Sequence, residues 1–274
     1  DARPNMNSRD NIIVLVDEAH RTQEGDLGRQ MRAALPNAFL FGLTGTPVNR
    51  ADKNTFWSFG SEDDTGGYMS RYTFQESIRD NATLPLHFEP RLVDVHVDKE
   101  SLDQAFAAFK EGSALTDEEA DALNKKSAKM AAFLKSPERV ARIVKDIAIH
   151  FNEKVAPHGL KAMIVAPDRF GCVQYKEELD QHFPTEASVV VISTSANDPL
   201  AFKQKWGMDK SKQEIIVDEF NDALSDLKFI IVTAKLLTGF DAPILQTMYL
   251  DKSLKDHTLL QAICRTNRLY PLKH

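Results

Sequence analysis

The chain has 274 residues, 42% hydrophobic and 27% charged, which fits a folded globular protein of one large or two ordinary domains. Its net charge of −6 argues against a general polyanion binder, though a local track of Lys and Arg can still meet phosphates. No apolar run approaches the roughly 20 residues of a membrane span, so no membrane partner is expected. The two cysteines, Cys172 and Cys264, lie far apart without metal-ligand spacing. They favour a reducing cytoplasm over a disulfide framework. The first residues, Asp1-Ala2-Arg3-Pro4-Asn5, resemble neither a signal nor a transit peptide and include no initiator Met. A start inside a longer protein is the expectation.

In chain order, Ile12-Ile13-Val14-Leu15-Val16 is a branched apolar run that predicts a parallel strand buried on both faces. Asp17-Glu18-Ala19-His20 follows it directly. A helix is predicted from about Leu27 to Leu35, stopped by Pro36-Asn37, and a second buried strand over Ala38 to Leu43. Strand, helical crossover and strand make a parallel α/β unit. Gly60 to Gly67 reads as a loop and Thr73 to Ile78 as a short helix. Pro85 and Pro90 bracket a transition into Arg91 to Val97, which alternates at period two as a half-buried strand does. Residues 101–135, rich in Ala, Glu, Lys and Leu, read as a helical connector.

Ser136-Pro137 predicts a helix start, with Ser as N-cap and Pro at the first position. Val140, Ile143, Val144, Ile147 and Phe151 then share one helical face. Strands are predicted at Ala162 to Ala166, Ser188 to Ile192, Phe229 to Thr233 and Thr247 to Leu250, making a second parallel α/β domain. Asp168 is the expected cap of a helix beginning at Arg169. Asp198 to Lys212 reads as a polar insertion, and Asp218-Glu219 as a solvated strand or helix end.

The chemistry concentrates at strand ends. Open α/β sheets place their ligand crevices at the carboxyl ends of strands, where Asp17 and Glu18 are expected. A carboxylate pair there suits a Mg²⁺-nucleotide, one acid holding the metal and the other orienting an attacking water. Leu43-Thr44-Gly45-Thr46-Pro47 ends the next strand, and its hydroxyls can bond the acidic loop and sense what that loop binds. It could also be a plain strand-ending turn. No Gly-x-x-x-x-Gly-Lys-Ser/Thr phosphate loop occurs anywhere in the chain.

Four segments in order resemble the motifs of superfamily-two helicases and translocases. Asp17-Glu18-Ala19-His20 resembles the second motif and Leu43-Thr44-Gly45-Thr46-Pro47 the third. Thr233 to Pro243 resembles the fifth. Gln261-Ala262-Ile263-Cys264-Arg265-Thr266-Asn267-Arg268 resembles the sixth, with Cys where Gly is usual. Leu236-Leu237-Thr238-Gly239-Phe240-Asp241-Ala242-Pro243, together with the sixth segment, is similar to the motor (R) subunit of type I restriction-modification enzymes. Tyr72 to Asp80 and Leu84-Pro85 fit the same family.

The resemblance implies two RecA-like parallel-sheet lobes, the first incomplete (1–88), a connector (89–135) and a second lobe (136–274). It implies an internal piece of such a subunit, without the family's nuclease domain and first helicase motif. The implied activity is ATP-dependent translocation on double-stranded DNA, with ATP and Mg²⁺ as cofactors. The implied partners are the methyltransferase and specificity subunits, in the bacterial cytoplasm. By motif match, Asp17 would hold Mg²⁺, and Glu18 would polarise the hydrolytic water. His20, Thr44, Gly45 and Thr46 would couple nucleotide state to DNA grip. Gly239, Asp241 and Gln261 would contact the nucleotide from the second lobe. Arg268 would be the arginine finger and Arg265 its γ-phosphate neighbour; otherwise the two are cations on a surface helix. A flexible joint is expected between Leu84 and Ser101. A non-catalytic DNA-binding or assembly module and another superfamily-two repair or RNA-remodelling protein are the competing readings.

Overall fold

The computed structural model describes residues 6–19, 26–47, 55, 59–60, 63–91, 136–237 and 239–273. The chain divides into two compact units, Asp1–Ser77 and Ile78–His274. The connector predicted over 101–135, the strand over 92–97 and the side chain of His20 lie outside the described residues.

In the first unit, β1 (Ile13–Asp17) and β2 (Phe39–Leu43) pair in parallel, with Ile13 beside Phe39 and Asp17 beside Leu43. Helix α1 (Asp26–Ala34) makes the crossover. The predicted elements therefore form within a residue or two of their expected ends. Burial on both faces does not hold. Ile13 and Leu15 are 66% and 67% exposed, and Phe39 and Leu43 share their open face. Side chains alternate across a strand, and among the described residues this face has no covering layer. Helix α2 (Phe74–Arg79) opens on a reciprocal cap. The Thr73 amide and hydroxyl each donate to Glu76 Oε2 at 2.6 Å, and the Glu76 amide donates to Thr73 Oγ1 at 3.2 Å.

In the second unit, α3 (Pro137–His150) runs on through a π turn and a short 3₁₀ turn to His158. Ser136 occupies the N-cap position, but its hydroxyl makes no capping bond. Strands β3 (Lys161–Val165), β4 (Ser188–Val191), β5 (Phe229–Val232) and β6 (Leu245–Leu250) form one parallel sheet in the order β4-β5-β3-β6. The central strands β3 and β5 are buried along their whole length, as unbroken apolar runs in a parallel sheet should be. Helix α4 (Arg169–Leu179) is capped as expected, with Asp168 Oδ1 accepting from the Gly171 amide at 2.8 Å.

The stretch read as a polar insertion is instead helical. It forms α5 (Leu200–Trp206) and the start of α6 (Lys210–Asn221), whose final turn carries the exposed Asp218 and Glu219. A buried lysine explains how α6 is held. Lys161 on β3 is fully buried and its Nζ donates to the Asp222 carbonyl at 2.7 Å, a cation meeting the carbonyl end of the helix. Burial, with neighbouring Lys228, lowers its pKa to about 8.

A charged network ties α3, α4 and the end of β6 together. Arg139 forks onto both oxygens of Asp251, and Tyr175 donates to Asp251 Oδ2 at 2.8 Å. Burial and Asp251 raise the Tyr175 pKa, so its proton stays in place as donor. The Arg139 and Asp251 side chains are each only 13% exposed. Removing one partner of such a pair leaves a poorly solvated charge. Asp251→Ala is therefore expected to destabilise the second unit by about 3–5 kcal/mol in urea unfolding. A loss under about 1 kcal/mol would mean the pair is screened like a surface bridge.

Candidate nucleotide site

In the first unit, the parallel register of β1 and β2 delivers Asp17-Glu18 and Thr44-Gly45-Thr46 to the same carboxyl edge. Asp17 turns its Oδ1 back onto the Glu18 amide at 2.8 Å. Glu18 has φ +49°, a left-handed conformation that costs a residue with a side chain on the order of 1–2 kcal/mol. Such outliers gather at functional sites. Ala19 behind it is fully buried, so the acid turn is tethered from one side.

Sequence reasoning misses Gly42 on β2 as a site residue. A Cβ there would stand 2.7 Å from Phe59 Cγ and 2.9 Å from Ala19 Cβ. Only glycine lets Ala19, the residue after Glu18, pack this close to β2. An isolated Gly inside a strand is the one signal that could have found it. In the following turn the Thr46 amide donates to Thr44 Oγ1 at 3.1 Å, and Thr46 is buried. Among the described residues, nothing lies within 4 Å of where a Cβ on Gly45 would stand.

In the second unit, the loop after β5 and the segment after α7 (Asp256–Ile263) meet. Gly239 has φ +69°, which glycine adopts without a Cβ clash. Arg265 Nη1 donates to the Phe240 carbonyl at 2.9 Å and its Nε to the Leu237 carbonyl at 3.4 Å, bracing the loop. Arg268 Nη1 lies 2.8 Å from Asp241 Oδ1, an ion pair open to solvent. Asn221 Nδ2 holds the Asp241 carbonyl at 3.1 Å. Gln261 is half-buried in the last turn of α7. The structure thus brings Gly239, Asp241, Arg265 and Arg268 together, and separately Asp17, Glu18, Thr44 and Thr46. Thr238, like His20, lies outside the described residues.

The donor set suits a magnesium nucleotide. Asp17 and Glu18 are hard oxygen ligands at a strand end, and Mg²⁺ takes one or two carboxylates while keeping water and phosphate oxygens.

Parallel sheets in both units, each with a helical crossover, make this an α/β protein. Comparison with known proteins adds the family. The family described as SWI2/SNF2 ATPase matches residues 1–121, and that described as type I restriction enzyme subunit R domain 3 matches residues 169–274. The type I restriction enzyme HindI endonuclease subunit of Haemophilus influenzae is 34% identical, over 98% of this chain and 26% of its own length. The MjaIXP endonuclease subunit of Methanocaldococcus jannaschii is 35% identical over 97% of this chain and 25% of its own length. A fragment of an HsdR subunit of a type I restriction enzyme from Vibrio vulnificus shares the fold, with TM-score 0.56 and 15% identity over 94% of this chain and 40% of that one. The chain belongs to the family of type I restriction enzyme endonuclease (R) subunits, and it spans about a quarter of the length of the relatives it matches. No described helix is long and apolar enough to cross a membrane.

Proposed function

We propose that this chain is the motor part of a type I restriction endonuclease, moving along double-stranded DNA at the expense of ATP. The observation that carries the reading is the Arg268–Asp241 pair beside Gly239, matched by Asp17-Glu18 at the carboxyl edge of the other unit's sheet. Asp17 would hold Mg²⁺, which when bound supplies positive charge against the phosphates. Glu18 accepts a proton from the attacking water and orients it. Asp241, Gly239 and Gln261 line the nucleotide from the second unit. Arg268 leaves Asp241 for the γ-phosphate, where a permanently charged, planar fork matches developing charge bidentately. Arg265 holds the loop carrying Gly239 and Asp241 at the distance the phosphate needs. His20, Thr44, Gly45 and Thr46 relay nucleotide state to DNA grip. The methyltransferase and specificity subunits are the protein partners, in the bacterial cytoplasm.

One observation favours inactivity of this stretch by itself. It contains no glycine-rich loop with a lysine for the β- and γ-phosphates, and positioning is most of phosphoryl-transfer catalysis. DNA-stimulated ATPase is therefore expected from the full-length subunit and absent from residues 1–274 alone. Hydrolysis by the short chain would mean that a phosphate cradle of another kind is present. Silence of both would favour a non-catalytic assembly module.

A further inference from the structure

We propose that residues 84–91 form a strap that positions the Arg268 finger through its neighbour Asn267. The inference rests on the nucleotide-site reading above and adds the element that holds the finger in place.

Arg268 does not stand on a helix. Helix α7 ends at Ile263, and the chain then turns through Cys264 to Thr266 and bends at Asn267 and Arg268. A finger on irregular backbone needs restraints from elsewhere, because a displacement of about 1 Å can cost about 10²-fold in rate. One restraint lies downstream. Lys273 is buried, and its Nζ donates to the Pro243 and Leu245 carbonyls at 3.0 and 2.5 Å. The other arrives from far away in sequence. The Leu84 amide donates to the Asn267 carbonyl at 2.7 Å, and Asn267 is only 4% exposed.

Leu84 is itself held by the segment it begins. Seven residues on, Arg91 forks onto α3, with Nε 2.6 Å from Asp146 Oδ2 and Nη2 2.8 Å from Oδ1. Its remaining nitrogen, Nη1, meets Glu89 Oε1 at 2.7 Å. A bidentate guanidinium–carboxylate pair fixes direction as well as distance. Pro85 and Pro90 lock φ just inside each end, which lowers the entropy lost on ordering the span. Segment 84–91 is thus bolted at one end to α3 and at the other to the backbone of the residue before the finger. The start of the expected flexible joint is part of the second unit, and residues 92–101 lie outside the described residues.

The test uses the full-length subunit, with Arg91→Ala, Arg91→Lys, Arg268→Ala and the double variant Arg91→Ala/Arg268→Ala. Arg91→Ala should lower kcat for ATP about tenfold, with KM changed by less than about twofold, because positioning and not binding is lost. Arg91→Lys, which keeps the charge and loses the fork, should fall between. Hydrogen exchange should show the Leu84 amide deprotected in Arg91→Ala while the amides of β3 and β5 stay protected. The double variant should be no slower than Arg268→Ala, since both changes act through one guanidinium. Unchanged kcat in Arg91→Ala, or two effects that multiply in the double variant, would overturn the strap. Arg268→Ala with normal kcat, beside a deprotected Leu84 in Arg91→Ala, would instead remove the finger reading and with it the strap's role in catalysis.

Discussion

Glu18→Gln in the full-length subunit is expected to lower ATP hydrolysis by about 10²–10⁴-fold while leaving ATP affinity nearly unchanged. Gln has the same shape and the same tolerance of the left-handed φ at this position, so the turn that Asp17 and the buried Ala19 hold should persist. What is lost is the carboxylate that accepts the water's proton. The check is a pair of measurements: kcat at saturating ATP, and the Kd of a non-hydrolysable ATP analogue. If affinity falls as far as the rate, Glu18 is a ligand of the nucleotide-bound metal rather than the group that activates water.

Arg268→Ala is expected to cut the DNA-stimulated ATPase by about 10³–10⁵-fold, the range in which removing an arginine finger falls. A thousandfold loss corresponds to about 4 kcal/mol of transition-state stabilisation. The ion pair to Asp241 cannot supply that through stability. Its side chains are 40% and 63% exposed, and surface pairs contribute about 0–1 kcal/mol. DNA affinity, read from the salt dependence of binding, should barely move. An equal drop in affinity and ATPase would make Arg268 a contact to the DNA backbone, with a correspondingly shallower salt slope.

Glu18 and Arg268 both stand out in the amino-acid sequence as candidates, and for the same reason. Glu18 follows a continuous apolar run, and Arg268 closes a segment spaced like a known motif, so both signals are local. The central strands of the second unit are legible too. β3 and β5 are fully buried, and burial on both faces goes with the apolar runs Ala162-Met163-Ile164-Val165 and Phe229-Ile230-Ile231-Val232.

Helix α6 is harder to read. Its Ile215-Ile216-Val217 is a β-branched run with the look of a strand, and Ile215 is 65% exposed. The Asp209 cap at one end, Lys161 at the other and the buried Phe220 decide for a helix. Only Asp209 and Phe220 belong to the helix or its immediate flank; Lys161 lies on a distant strand. Gly42 looks like any small strand residue, and only the close approach of Ala19 and Phe59 gives it a role. The segment 84–91 is bracketed by Pro85 and Pro90 and reads only as a transition. Its meaning lies in Asn267 and Asp146, partners that only folding brings within 3 Å.

By itself the sequence determined the α/β class, the strand end that carries the acids, the segment that carries the arginines, and the family, because apolar runs and motif spacing are properties of neighbours along the chain. The tertiary structure alone decided which carbonyls Arg265 braces, which acid Arg268 meets and what holds the finger's backbone. Those are contacts between residues far apart along the chain, and hydrogen bonds form only where the fold supplies both distance and direction.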